Sequence, residues 1–190
     1  MSIKHPIISV IGSSGAGTST VKYTFDQIFR REGIKAVSIE GDAFHRYNRA
    51  EMKSELTTRL AAGDPTFSHF SYEANELTQL QRVFQDYGNT GKGRSRTYVH
   101  DAEESERCGV PPGEFTAWSA FEDGTDLLFY EGLHGAVVNS EVNLEDLADL
   151  KIGVVPVINL EWIQKIHRDR NHRGYSTEAV TDVILRRMHA

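Results

Sequence analysis

The stretch Gly12-Ser-Ser-Gly-Ala-Gly-Thr-Ser-Thr20 decides how this chain folds. An apolar run at 7–11 precedes it, and a segment with the apolar spacing of a helix follows at 21–29. This order predicts a strand, a glycine turn and a helix. In such a turn, backbone N–H groups converge on phosphate oxygens and the helix N-terminus adds partial positive charge. The stretch therefore predicts a phosphate-binding loop.

The spacing within this loop matches the P-loop pattern G-x-x-x-x-G-K-[ST] at all but one position. Gly12 and Gly17 are the glycines of the pattern, and Ser19 is the hydroxyl that faces magnesium. Thr18 stands where the pattern has lysine. The missing positive charge must come from elsewhere in the chain, or the site is not catalytic.

The composition predicts one globular domain over residues 1–190, with 39% hydrophobic and 25% charged residues. A net charge of −6 argues against a general nucleic-acid or membrane-surface role. No apolar run is long enough to span a bilayer, so we expect a cytoplasmic protein without a targeting segment. Cys108 is the single cysteine, which excludes a disulfide within the chain.

Strands and helices alternate along the chain. We expect strands at 6–12, 35–40, 126–132 and 151–159, and helices at 17–32, 48–62, 73–87, 160–173 and 176–190. Residues 88–124 are predicted to form a long surface excursion over a ligand site, with a short strand at 96–100. Because the last helix stops without a capping glycine, we expect a missing C-terminal portion.

This alternation predicts an α/β fold, a three-layer sandwich of the P-loop NTP-hydrolase and kinase type. Its central sheet is expected to be mostly parallel, with ligands at the carboxyl ends of the strands.

Two acids follow or end predicted strands. Glu131 closes an apolar strand, where P-loop enzymes place the acid that orients magnesium, although such a glutamate is often only solvated. Asp42 follows the second strand and is a candidate general base for a hydroxyl nucleophile, or a helix cap, or both. His45 and Arg49 share one helical face and could hold an anionic substrate beside Asp42. A lone helical histidine is more often structural.

A dense cationic stretch contains Lys165, Arg168, Asp169 and Arg173. An exposed helix with salt bridges is the common explanation for such a pattern. The alternative is a closing lid, predicted at 163–175, whose cations neutralise the charge of a transferring phosphoryl group. We hypothesise that Lys165 or Arg168 replaces the charge that Thr18 lacks.

Five segments together resemble the phosphoribulokinase/uridine kinase family, and within it the proteobacterial phosphoribulokinase branch. The segments are the glycine loop, Glu40-Gly-Asp-Ala-Phe-His45, Phe67-Ser-His-Phe-Ser-Tyr-Glu-Ala-Asn75, Phe129-Tyr-Glu-Gly-Leu-His134 and Asn159-Leu-Glu-Trp-Ile-Gln-Lys-Ile-His-Arg-Asp169. In this branch the P-loop also lacks lysine, so Thr18 is no objection to catalysis.

The resemblance implies ATP-dependent phosphorylation of the 1-hydroxyl of D-ribulose 5-phosphate, with Mg²⁺, in the reductive pentose phosphate (Calvin) cycle. It implies catalytic roles for Asp42, Asp169 and Lys165, and metal binding by Ser19 and Glu131. Sugar-phosphate binding is implied for His45, Arg49, Arg168 and Arg173. The residues implied to bind ATP are Gly12, Ser13, Ser14, Gly15, Ala16, Gly17, Thr18, Ser19 and Thr20.

The resemblance also implies a homo-oligomer that NADH activates and AMP inhibits, and family members continue well past Ala190. Two enzymatic alternatives stay open: a uridine kinase-type enzyme and a phosphoribulokinase-like enzyme with another acceptor. A non-catalytic nucleotide-binding regulator is the alternative from a different class. The residues leave the roles of His100, His134 and Arg31 open.

Overall fold

The computed structural model describes residues 4–187, without the side chains at 158, 172, 173, 186 and 187. In chain order its elements are β1 (Ile7–Gly12), α1 (Thr18–Glu32), β2 (Ala36–Glu40), α2 (Arg49–Ala61), α3 (Leu77–Thr90), β3 (Arg94–Ser95), α4 (Ala102–Cys108), β4 (Ser119–Ala120), β5 (Leu127–Gly132), β6 (Leu150–Val154), α5 (Ile158–Arg173) and α6 (Thr177–Arg187). Short 3₁₀ turns occur at Gly41–Phe44, Tyr72–Ala74 and Glu145–Leu147.

A sheet of four strands in the order β2-β5-β1-β6 lies at the centre of the fold. All its pairings are parallel, with Val10 opposite Glu131, Glu40 opposite Glu131 and Gly12 opposite Val154. The predicted α/β fold with a mostly parallel sheet is confirmed. Because parallel strands end on the same side, the residues that follow β1, β2 and β5 share one edge.

Apolar side chains cover both faces of the sheet. On one face Phe129 packs with Val10 and with Phe29 of α1, while on the other Tyr130 packs with Leu80 and Phe84 of α3. Neighbouring residues of a strand point to opposite faces, so Phe129 and Tyr130 anchor the two helical layers. The three-layer arrangement follows from this alternation.

Within the predicted excursion at 88–124, residues 94–120 form an antiparallel ribbon. β3 pairs with β4, Tyr98 bridges to Phe115, and α4 lies between the two arms. The predicted strand at 96–100 was wrong, since the Thr97 N–H donates to the Thr116 hydroxyl (2.9 Å) and interrupts the backbone ladder.

Two other differences from the predicted elements have local causes. The strand predicted at 151–159 ends at Val154, because Pro156 has no N–H to continue the ladder, and α5 begins at Ile158. The short helix α4 was not predicted, although Asp101 caps it by accepting from the Glu104 N–H (3.0 Å). Residues 188–190, within the last predicted helix, lie outside the described residues.

Within residues 4–187, no helix combines the length and the apolar character needed to cross a bilayer.

The buried ring of Phe129 is expected to contribute strongly to stability. Phe129→Ala should lower the free energy of unfolding by about 3–5 kcal/mol, because the cavity between β5 and α1 cannot collapse fully. Urea unfolding followed by circular dichroism measures the change. Tyr23→Ala is the control, since Tyr23 is 66% exposed on α1. A loss in Phe129→Ala no larger than in this control would contradict the packing described above.

Candidate active site

The glycine loop connects the carboxyl end of β1 to the first turn of α1. Gly15 and Gly17 have φ values of +101° and +98°, a region that side chains rarely adopt. Gly12 also has no room for a side chain, since a Cβ there would lie 2.7 Å from Thr18 Cγ2. The glycines therefore let the loop turn tightly into the N-terminus of α1, the geometry that favours phosphate.

The threonine at the lysine position of the loop contacts an acid. Thr18 is 9% exposed, and its hydroxyl donates a hydrogen bond to Glu131 Oε1 on the neighbouring strand β5. Burial raises the pKa of Glu131, and the nearby Glu40 carboxylate raises it further. The hydrogen bond from Thr18 offsets part of this increase. Ser19, next in the chain, is exposed at the start of α1. Thr18 thus orients an acid at the mouth of the loop.

A lysine that the sequence analysis missed balances these acids. Lys22, one turn into α1, forms an ion pair with Glu40 at the end of β2. Burial alone would lower the pKa of Lys22, but the Glu40 and Glu131 carboxylates outweigh it, so the pKa is raised. Lys22 stays charged and reduces the repulsion between two carboxylates that face each other across β2 and β5.

Asp42 lies in the 3₁₀ turn after β2, with two imidazoles around its carboxylate. His45 Nε2 is 3.3 Å from Asp42 Oδ1, and His100 Nε2 is 3.3 Å from Asp42 Oδ2. The Asp42 side chain remains 45% exposed, so it is open to a substrate. Burial lowers the pKa of His45, and Asp42 offsets this only in part. The structure thus adds His100 to the group formed by Asp42 and His45.

Arg49 opens α2, next to the Asp42 group. The predicted shared helical face of His45 and Arg49 was wrong, because His45 ends the preceding 3₁₀ turn in an extended conformation and α2 begins only at Arg49. The helix begins with a capping box between Asn48 and Glu51, which fixes the direction of its first turn. Arg49 Nη2 donates to the carbonyl of His100 (2.7 Å), and the Arg49 N–H donates to the carbonyl of Gly113 (2.9 Å). Arg49 therefore joins α2 to the ribbon that carries His100.

Helix α5 packs against the glycine loop. Arg168 Nη2 donates to Ser14 Oγ (2.9 Å), and Ser13 Oγ donates to Glu161 Oε1 (2.6 Å). A Cβ on Gly15 would lie 3.3 Å from Lys165 Cβ. The cationic stretch that was predicted from sequence therefore lies directly on the loop.

Asp169, near the C-terminal end of this helix, is buried between two cations. Asp169 is 5% exposed, Lys165 Nζ lies 3.1 Å from Asp169 Oδ2, and Arg168 Nε lies 2.9 Å from Asp169 Oδ1. Burial alone would raise the pKa of Asp169, but Arg168 and Lys165 outweigh it and lower the pKa. Arg173 is the last residue of α5, and its predicted role falls on a side chain outside the described part of the chain.

The predicted residues thus form three groups at one edge of the sheet: the loop with Glu131, the Asp42 group, and α5. Lys22, Glu161 and Arg96 also contact these groups, although no sequence motif indicates them, and His100 joins the Asp42 group. The ion pair between Lys22 and Glu40 joins α1 to β2, so no helical spacing could reveal it. Glu161 and Arg96 likewise act across large sequence distances.

The oxygen atoms at the mouth of the loop fit a magnesium ion. Mg²⁺ takes hard oxygen ligands, and in kinases it uses one or two carboxylates with the substrate phosphates. Glu131 and the Ser19 hydroxyl are donors of that kind beside a phosphate loop. Among the described residues, no three His, Cys, Asp or Glu side chains form a metal site on their own.

One buried and one partly buried histidine, His134 and His45, predict a stability change at mildly acidic pH. Burial lowers the pKa of His45 and of His134. The pKa of a histidine in the unfolded chain is about 6.5. A histidine whose pKa is lower in the folded state contributes stability above that pH, and this stability is lost as the pH falls through the folded-state pKa. We expect Tm to fall from about pH 7.5 to about pH 5.5, and to fall less in His45→Asn, by thermal unfolding at each pH. His167→Gln, at an exposed histidine, is the control. Equal pH dependence in His45→Asn and wild type would contradict the assignment.

Comparison with known proteins identifies the family of this chain. Residues 7–190 match the Phosphoribulokinase / Uridine kinase family. The chain is 79% identical over 190 residues to Phosphoribulokinase 1 of Cereibacter sphaeroides and 76% identical to Phosphoribulokinase 2 of the same organism. All 190 residues align in each case, and the chain spans 66% and 65% of the length of these two relatives.

Solved structures show the same fold. A phosphoribulokinase from Rhodobacter spheroides superposes with a TM-score of 0.83 at 75% identity, covering 98% of this chain and 63% of that one. A possible uridine kinase from Bacillus stearothermophilus shares the fold at 14% identity, with a TM-score of 0.57 and coverage of 91% and 85%. The loop, the edge acids and these similarities together establish that the chain belongs to the phosphoribulokinase/uridine kinase family.

Proposed function

We propose that this chain carries the active site of an ATP-dependent kinase that phosphorylates the 1-hydroxyl of D-ribulose 5-phosphate. The products are D-ribulose 1,5-bisphosphate and ADP, and the step belongs to the reductive pentose phosphate cycle. The proposal is supported by the 79% identity to Phosphoribulokinase 1 of Cereibacter sphaeroides. The geometry of the site supports the reaction type.

The main support for this proposal is the environment of Asp42. Its carboxylate is half-exposed, lies between two imidazoles, and is at the same edge of the sheet as the glycine loop. A hydroxyl nucleophile needs a base within hydrogen-bonding reach, and a carboxylate open to solvent on one side meets that need. Asp42 accepts the proton of the 1-hydroxyl while the oxygen of that hydroxyl bonds to the terminal phosphorus of ATP. The bond from this phosphorus to ADP breaks, and ADP leaves. His45 and Arg49 stand beside Asp42, where they bind the sugar phosphate.

Helix α5 supplies the positive charge that the loop lacks. The transferring phosphoryl group spreads negative charge over its oxygens, and fixed cations nearby stabilise that charge. Arg168 already contacts Ser14 of the loop, and Lys165 lies beside it on the same helical face. Asp169 holds both cations in place. Arg173 completes this group in our proposal, and residues 163–175 act as a lid.

The residues of the glycine loop, 12–20, bind the phosphates of ATP in this proposal, with Ser19 and Glu131 as magnesium ligands. When bound, Mg²⁺ would neutralise phosphate charge and orient the terminal phosphoryl group. On the family resemblance alone, we also propose a cytoplasmic homo-oligomer that NADH activates and AMP inhibits.

The first test replaces the proposed base. Asp42→Asn keeps the size of the side chain but cannot accept the proton, so kcat should fall about 10²- to 10⁴-fold while ATP affinity is unchanged. A coupled ADP-release assay gives the rate, and calorimetric titration gives the affinity. Asp123→Asn is the matched control, because Asp123 is an exposed acid paired with Lys92 just beyond the two ends of the ribbon. Full activity in Asp42→Asn would exclude Asp42 as the base.

The second test separates the acceptors. His45 and Arg49 suit a phosphorylated sugar, whereas a nucleoside has no phosphate to bind, so kcat/KM should be at least about 100-fold higher with D-ribulose 5-phosphate than with uridine. Steady-state assays with each acceptor decide this. A preference for uridine would favour the uridine kinase-type alternative. ATP binding without turnover of either acceptor would favour a nucleotide-binding regulator.

A further inference from the structure

We propose that Arg96 is a positioning residue that holds the turn carrying Asp42 in its working geometry. This inference rests on the proposed function, since it concerns the same phosphoryl transfer. Arg96 lies on the ribbon between β3 and α4, outside every motif found in the sequence. It is placed to act on Asp42 through the backbone of the turn, without touching a substrate.

The guanidinium of Arg96 binds two carbonyl oxygens of the turn. Its Nε donates to the carbonyl of Ala43 (2.8 Å), and its Nη2 donates to the carbonyl of His45 (2.7 Å). These carbonyls flank Phe44, two residues after Asp42. Two donors in a rigid planar fork fix both the position and the angle of the peptide units they bind. An ammonium group has no such fork.

Aromatic rings hold the guanidinium itself in place. Its Cζ lies 3.6 Å from the centroid of the Phe115 ring and 5.1 Å from that of Trp118. The Phe44 ring packs edge-on against Trp118, with centroids 5.8 Å apart. Cation–π contacts of this kind restrict a side chain that would otherwise sample many rotamers. The turn and the ribbon are therefore joined at Arg96 by both polar and apolar contacts.

This junction sets the surroundings of the Asp42 carboxylate. One of its imidazole partners, His45, directly follows the turn, and the other, His100, lies four residues after Arg96 on the ribbon. By joining turn to ribbon, Arg96 fixes the two imidazoles relative to each other and to Asp42. A displacement of about 1 Å at a reacting group can reduce the rate of an enzyme about 100-fold.

Arg96→Lys and Arg96→Met test this role. Lysine keeps the charge but loses the fork, so both variants should lower kcat about 10- to 100-fold. The KM for ATP should stay close to wild type, because the guanidinium of Arg96 binds the carbonyls of Ala43 and His45 and not the glycine loop. Arg94→Lys and Arg94→Met are matched controls, since Arg94 is an exposed arginine on the same ribbon whose Nη2 donates to the carbonyl of Trp118 (3.0 Å).

A second measurement does not depend on turnover. The imidazole resonances of His45 and His100, followed by NMR, should shift in Arg96→Lys and stay unchanged in Arg94→Lys. Unshifted resonances together with wild-type kcat would overturn the proposal. A wild-type kcat in Arg96→Lys would also overturn it. So would a fall in Tm and in ATP affinity that parallels the fall in kcat, because a residue with only a structural role would show that pattern. If the wild-type protein phosphorylates another acceptor and not D-ribulose 5-phosphate, the proposed function is wrong. The NMR comparison would still test whether Arg96 positions His45 and His100.

Discussion

Parallel pairing of β5 with both β1 and β2 is the constraint on which the whole site depends. It places the glycine loop, Glu131 and Asp42 at one edge, although they are far apart in the chain. Parallel strands bring such groups together only if both faces of the sheet are covered. Phe129 and Tyr130, pointing to opposite faces, supply the apolar surface for that cover.

The charged groups at this edge come from two places, the strand ends beside the loop and helix α5. Thr18 offers a hydroxyl to Glu131, so the position that P-loops give to lysine orients an acid instead. The cations Lys165 and Arg168 come from another helix and are held by the buried Asp169. Lys22 reduces repulsion among the strand-end acids. The cations nearest the loop therefore belong to a separate helix that packs on it through Arg168 and Ser14.

The sequence predicted the parts of the site that lie in local patterns. The glycine loop, the strand-end acids and the cationic helix each have a spacing that reports its geometry, and the predicted fold was confirmed. The ribbon at 94–120 could not be predicted from local patterns, because its pairing depends on contacts between two arms that are distant in sequence. In addition, the Thr116 hydroxyl takes the place of a backbone carbonyl as the acceptor for the Thr97 N–H. His100 and Arg96, both on this ribbon, were left open or missed for the same reason.

The sequence by itself determined the phosphate loop, the order of strands and helices, and which acids and cations stand at their ends. Those features depend on residues close together in the chain, where glycine conformation and apolar periodicity act directly. Only the tertiary structure decided that Thr18 pairs with Glu131, that α5 lies on the loop, and that His100 and Arg96 reach the turn of Asp42. These contacts join segments far apart in the chain, and their geometry arises from the packing of the whole sheet and its covering layers.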